Sequence, residues 1–200
     1  MSKKRNIEVH PKTQTGKTLR SKKTVRRIGI DLDGVIIGFP PLVPKKLLEL
    51  LTRTQEKNSQ ENAYRYPDTN LERWVRILSH HPLFRPPIEP NRTDLLHLAD
   101  QKKYIIFAVS GRYGFLKNRT EEWLRKKGML HVFTGVFINE ANEQPHHFKQ
   151  RMIGKLDLHL YLDDDPFVVT YLRRTAFHKS IVLVTPKTRL PDLIGLHRTR

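Results

Sequence analysis

The chain has 200 residues, 38% hydrophobic and 28% charged, which suits one globular domain with room for an inserted piece. No apolar run approaches the roughly 18 residues that span a bilayer, and there is no cysteine to supply a disulfide framework, a thiolate zinc site or a nucleophile. The net charge of +17, from 37 Lys+Arg against 20 Asp+Glu, points first to a polyanionic partner.

In chain order, residues 1–27 carry ten basic residues and one acid, Glu8, so more than half of the net charge lies there. With almost no apolar periodicity, residues 1–26 read as a basic tail outside the fold. It is either an arm for nucleic acid or the ribosome, or a solubilising extension. Thr15-Gly16-Lys17-Thr18 has the end of a phosphate loop, but position 11 is a proline and no strand leads in, so a P-loop is rejected.

From Ile28 the texture changes. Ile28–Ile37 reads as a buried strand that breaks at Gly34. Residues 40–90 read as a helical insertion: a helix over Leu42–Leu51, a polar stretch over Gln55–Tyr66, a helix over Leu71–Leu78, then a stiff return with Pro82, Pro86, Pro87 and Pro90. Further strands are expected at Tyr104–Val109, Val132–Ile138, Leu158–Leu162 and Ser180–Thr185. The helices between them are expected at Arg92–Lys102, Lys117–Lys127 (closed by Gly128), His146–Leu156, and after Pro166. Strands alternating with helices imply βα units and a mostly parallel five-stranded sheet covered on both faces.

Chemistry gathers at two strand ends. Asp31-Leu32-Asp33-Gly34-Val35 and Asp163-Asp164-Asp165-Pro166 each follow an apolar strand directly. Each motif alone has a bland reading, as a turn or a helix cap. If the two strands are neighbours, four or five carboxylates converge where open parallel sheets bind ligands, and hard oxygen donors of that kind suit Mg²⁺. Ser110-Gly111-Arg112, after a third strand, can offer a hydroxyl and amides to an oxyanion. Lys149 can add a fixed positive charge; Lys155 on the same helix is the competing lysine.

Strand–Asp31-x-Asp33-Gly34-Val35, strand–Ser110-Gly111-Arg112, Lys149 and strand–Asp163-Asp164 together resemble the four ordered motifs of the haloacid dehalogenase (HAD) superfamily. The likeness covers residues 28–185, and Leu162-Asp163-Asp164-Asp165-Pro166 looks most like the 5′-nucleotidase-like and polynucleotide 3′-phosphatase-like branches. The resemblance implies a Rossmannoid three-layer α/β/α core made of residues 27–39 and 91–200, with 40–90 as a C1-type helical cap. It implies Mg²⁺-dependent hydrolysis of a phosphate monoester. In that reading Asp31 is the nucleophile, Asp33 the general acid and base, and Ser110 and Lys149 the remaining catalytic groups. Gly111 and Arg112 bind substrate. Asp31, Asp33 (through its carbonyl) and Asp164 hold the metal, with Asp163 or Asp165 as an alternative ligand.

The expected partner is a small phosphorylated molecule such as a nucleotide, in a reducing cytoplasm and without a membrane. Two alternatives stand beside it: a nucleic-acid-binding protein that uses this scaffold with residues 1–27 as its arm, and a phosphatase of polynucleotide ends. Arg112 is read equally as a substrate contact or a loop anchor. Phe39, Tyr64, Tyr66, Trp74, Arg65, Arg73 and Arg76 could stack on a base or hold an anion, although Trp74, Ile77 and Leu78 are read first as core. The pairs His80-His81 and His146-His147 are read as surface histidines whose rings point apart.

Overall fold

The computed structural model describes residues 25–40 and 64–196. The tail up to residue 24, the expected Leu42–Leu51 helix and the polar stretch as far as residue 63 lie outside the described residues. Five strands, β1 (Arg26–Ile30), β2 (Tyr104–Tyr113), β3 (Gly135–Asn139), β4 (Leu160–Asp163) and β5 (Ser180–Leu183), form one sheet in the order β3-β2-β1-β4-β5. Every pairing is parallel. Six helices are described: α1 (Asn70–Ser79), α2 (Glu89–Asp100), α3 (Lys117–Lys126), α4 (Pro145–Lys155), α5 (Pro166–Thr175) and α6 (Leu190–Leu196). None of them is long and apolar enough to cross a membrane.

The period-two alternation of the strands decides the layers. Ile28, Ile30, Ile106, Leu160 and Leu162 pack on one face with Leu95 and Leu98 of α2, Trp123 and Leu124 of α3, and Leu190 and Ile194 of α6. Val109, Tyr161 and Ile181 pack on the other face with Phe148, Met152 and Ile153 of α4 and Val168, Val169 and Leu172 of α5. Each fully buried side chain of this size contributes about 1.5–3 kcal/mol, and the result is the three-layer α/β/α arrangement expected from sequence. At the centre, β1 needs a glycine. A Cβ on Gly29 would sit 2.3 Å from a Leu158 methyl and 2.8 Å from the Tyr161 ring.

Three local expectations are corrected. The third strand begins at Gly135 rather than Val132, because residues 130–132 form a short 3-10 turn that sends Val132 and Phe133 into the core. The second strand runs past Val109 to Tyr113, and its ladder with β3 shifts register between Ser110 and Tyr113. Trp74 and Leu78 are not core: both are exposed on α1.

Two crossovers set the position of the site. From β1 the chain steps to β2 and β3 on one side, then returns across β1 to β4 and β5 on the other. The strand order therefore reverses between β1 and β4, where ligands of open α/β sheets bind. At the same end, Gly38 N–H donates to the Pro86 carbonyl at 2.7 Å and Ile88 N–H to the Ile36 carbonyl at 2.8 Å. The chain leaving β1 and the chain entering α2 are thus tied side by side.

Candidate active site

Asp31 is the first residue after β1 and its amide still donates to the Leu162 carbonyl of β4 at 2.9 Å, so Asp31 and Asp163 emerge side by side. Oxygens of Asp31, Asp163 and Asp164 lie within 4.8 Å of one another, the cluster of acids among the described residues able to grip a cation. Both Asp31 and Asp163 are buried. Lys149, reaching in from α4, donates to Asp163 at 2.8 Å and stands 3.4 Å from Asp31. Lys149 is buried beside the acids, while Lys155 on the same helix is exposed.

Burial pushes the Asp31 carboxyl well above its usual range, with Asp163, Asp33 and Asp164 adding to the push and Lys149 opposing it. For Lys149 burial works against the charge, yet Asp163 and Asp31 outweigh it and hold the ammonium on. Lys149 alone does not relieve the packed acids. A divalent cation between them would, and hard carboxylate oxygens suit Mg²⁺.

Gly34 makes the close approach of the two motifs possible. Its φ of +70° suits glycine, and a Cβ there would fall 1.8 Å from a carboxylate oxygen of Asp164. Gly111 plays a similar part beside Lys149: a Cβ would lie 2.7 Å from Pro145 and 3.4 Å from the Lys149 Cε. Ser110 is buried within β2, where the ladder with β3 begins to shift, and its hydroxyl accepts from the Arg112 amide at 3.4 Å.

Asp33 faces a different set of groups from Asp31. Arg112 donates to it through Nε and a terminal nitrogen, both at 2.7 Å, and through its other terminal nitrogen to the Thr120 hydroxyl at 2.9 Å. Arg85 donates to the same carboxylate. Burial would raise the Asp33 carboxyl, but Arg112 and Arg85 overcome it and hold Asp33 far below the usual carboxylate range. Arg112 therefore ties the Asp33 carboxylate to Thr120.

Arg85 was not singled out in the sequence. It lies in the proline-rich return, more than fifty positions from its partner, and is oriented by the Trp123 indole, which donates to the Arg85 carbonyl at 2.7 Å. Its Nε is buried without a partner.

Asp165 belongs to the scaffold. It caps α5 by accepting from the Phe167 amide at 2.9 Å, and it accepts a hydrogen bond from the Tyr64 hydroxyl. The Tyr64 backbone is held in turn by the Gln144 side chain, at 3.1 and 3.0 Å. Of the acids left open at 163–165, Asp163 and Asp164 thus face Asp31 while Asp165 caps a helix. The surface reading of His146 is corrected: it is fully buried, both ring nitrogens lack hydrogen bonds, and its ring lies 4.2 Å from that of His147 and 4.6 Å from that of Tyr171. Burial and His147 push its protonation down to about 4.

No protein-family model and no curated protein matches the chain. Among solved structures, a HAD-family enzyme from Bacteroides thetaiotaomicron, an aspartate-to-alanine mutant in complex with magnesium and inorganic phosphate, is 10% identical with a TM-score of 0.54, over 86% of this chain and 99% of that one. A protein from Haemophilus somnus described as a predicted phosphoglycolate phosphatase is 13% identical with a TM-score of 0.52, over 86% and 92%. The chain also spans about half, 48%, of a chain in the Pnkp1/Rnl/Hen1 RNA repair complex, covering 88% of its own length at 15% identity and a TM-score of 0.47. The first two likenesses establish the fold: this chain has the fold of the haloacid dehalogenase superfamily.

Proposed function

We propose that the chain is a Mg²⁺-dependent phosphomonoester hydrolase that works through a covalent phosphoaspartate on Asp31. The observation that carries this reading is the convergence of the Asp31, Asp163 and Asp164 carboxylates with Lys149 at the switch point between β1 and β4. Residues 27–39 and 91–200 are the catalytic core in this reading, and 40–90 the cap.

The residues fit the metal. Asp31 and Asp164 would hold it with the Asp33 carbonyl, and Asp163 alongside, where buried acids already crowd one another. When bound, the cation screens the nucleophile from the anionic phosphoryl group it must approach.

The chain's own groups do the rest. An Asp31 oxygen attacks phosphorus and the leaving oxygen departs, which divides hydrolysis into two displacements. Lys149 balances charge on Asp31 and on the transferring group, and the Ser110 hydroxyl with the Gly111 amide binds phosphoryl oxygens. Asp33 delivers a proton to the leaving oxygen and then takes one from the water that releases phosphate. With two guanidiniums on it, Asp33 is an ionised acceptor. Phosphoryl oxygens compete for the same guanidiniums, so substrate entry loosens Arg112 or Arg85 from Asp33 and lets it take up its proton.

The test is a phosphatase screen over nucleotides, sugar phosphates and 3′-phosphorylated oligonucleotides, with and without Mg²⁺, run beside Asp31→Asn. Turnover that needs both the metal and Asp31 supports the reading. Metal-dependent turnover retained in Asp31→Asn refutes it.

A further inference from the structure

The pairing at Asp33 holds more positive charge than one carboxylate can use. Arg112 already pairs that carboxylate through two donors, both at 2.7 Å, and its third donor is fixed on Thr120 at 2.9 Å. Arg85 brings a second guanidinium to the same group, is 3% exposed, and has its Nε buried without a partner among the described residues. Two guanidiniums on one carboxylate leave a surplus positive charge, and a buried charge is costly unless it is paired. The acid cluster does not take up the surplus. A bound divalent cation together with Lys149 would balance Asp31, Asp163 and Asp164 without it.

The place of Arg85 says which part of a substrate meets that charge. The Asp33 side chain is 27% exposed, against 7% for Asp31 and 0% for Asp163, so the site opens to solvent beside Asp33. In the hydrolase reading Asp33 serves the leaving oxygen. The alcohol half of the substrate then lies along Asp33 and Arg85, while the phosphoryl oxygens lie with Lys149, Ser110 and Gly111. No described hydrogen bond or ion pair joins Arg85 to those three. The Arg85 carbonyl is anchored by the Trp123 indole at 2.7 Å, and the guanidinium lies 5.5 Å from the Phe39 ring centre. Asp33 is the one hydrogen-bond partner of that guanidinium among the described residues, whereas Arg112 is held at three points. Of the two, Arg85 changes partner at the smaller loss.

We propose that Arg85 selects the leaving group, by exchanging Asp33 for an anion carried on the alcohol half of the substrate. The preferred substrate class is then a phosphate monoester with a second anionic group, a carboxylate or another phosphate, a few bonds from the ester oxygen. The fork of a guanidinium fits either group through charge-assisted hydrogen bonds. The assignment rests on the phosphatase reading and adds a substrate class to it.

The test sets matched esters against each other on the full chain with Mg²⁺: 2-phospholactate against its methyl ester, and release of the 3′ phosphate from a nucleoside 3′,5′-bisphosphate against a nucleoside 3′-phosphate. In at least one pair kcat/KM should favour the member with the second anion by about 30-fold or more, and the pair that shows it identifies that anion as carboxylate or phosphate. Arg85→Met should reduce the preference to about threefold or less, and Arg85→Lys should keep part of it. Absence of the preference in both pairs overturns the proposal. So does a preference that Arg85→Met leaves intact, which would assign Arg85 to the phosphoryl group or to Asp33 alone. The wild-type comparison depends on no variant, and Arg85→Gln repeats the second comparison if Arg85→Met does not fold by circular dichroism. Lack of Mg²⁺-dependent turnover of all these esters refutes the phosphatase reading and this assignment with it, whereas turnover without a charge preference refutes this assignment alone.

Discussion

Two regions break the rule that charge lies outside and apolar surface inside, and they break it in opposite ways. At the carboxyl ends of β1 and β4, charged groups are buried and meet partners within the chain: Lys149 with Asp163 and Asp31, Arg112 and Arg85 with Asp33. On α1, apolar groups are exposed and meet no partner of comparable size among the described residues. Burying charge is costly unless it is paired, so the first region explains itself through its pairs and its cation geometry. The second explains itself only through something outside the described fold. A departure from the rule is thus informative in proportion to how little the rest of the chain compensates it.

The sharpest way to break the first half of the contrast is Asp31→Asn. If the buried charges exist for chemistry, turnover of an aryl phosphate should fall by about 10⁴-fold or more in steady-state assays, while stability at neutral pH holds or rises because one crowded acid is gone. Lys149→Met removes the shared cation and strands two buried carboxylates. Urea unfolding should report a loss of about 3–5 kcal/mol. A loss below 1 kcal/mol would mean the acids are relieved some other way.

Gly34→Ala tests the contact between the two acid motifs. Its positive φ and its collision with Asp164 should cost about 1–3 kcal/mol and weaken Mg²⁺ binding, measured by calorimetric titration. His80 gives a smaller, pH-dependent effect. Burial, then Arg112 and Arg85, push its protonation down to about 3, whereas the unfolded chain takes up that proton near pH 6.5. The neutral ring's contribution is whole above about pH 6.5 and is lost as pH falls toward 3. For this partly solvated ring the difference between pH 7 and pH 5 should be about 1 kcal/mol, and His80→Gln should remove it.

The smallest effect belongs to the second region. Val75→Glu should change monomer stability by no more than about 0.5 kcal/mol, because that side chain is half exposed on the helix surface.

Much of this architecture was legible in the sequence because it rests on local pattern. Apolar runs marked all five strands, and Gly128, with its φ of +65°, ended α3 where expected. Val132 and Phe133 misled because a turn can bury apolar residues as well as a strand can. The α6 helix was not foreseen; it is short, with a proline and a glycine among its seven residues. In the site, Asp31, Ser110, Lys149, Asp163 and Asp164 were visible because each follows a strand or sits on a helix leading into one. Arg85 was not, since its partner Asp33 lies far away in sequence and no periodicity links the two. Trp74 was misread because helical spacing reveals a stripe but not what the stripe faces.

The contact between Gly34 and Asp164 also constrains how related chains can differ. They stand 130 positions apart in sequence, yet a Cβ at 34 would fall 1.8 Å from an Asp164 carboxylate oxygen, so a side chain there must displace that acid. A descendant with a side chain at 34 would have to turn the Asp164 carboxylate away from its place beside Asp31. Loss of that glycine should therefore displace that acid, so a change at position 34 alone would mark lineages whose acid cluster is rearranged.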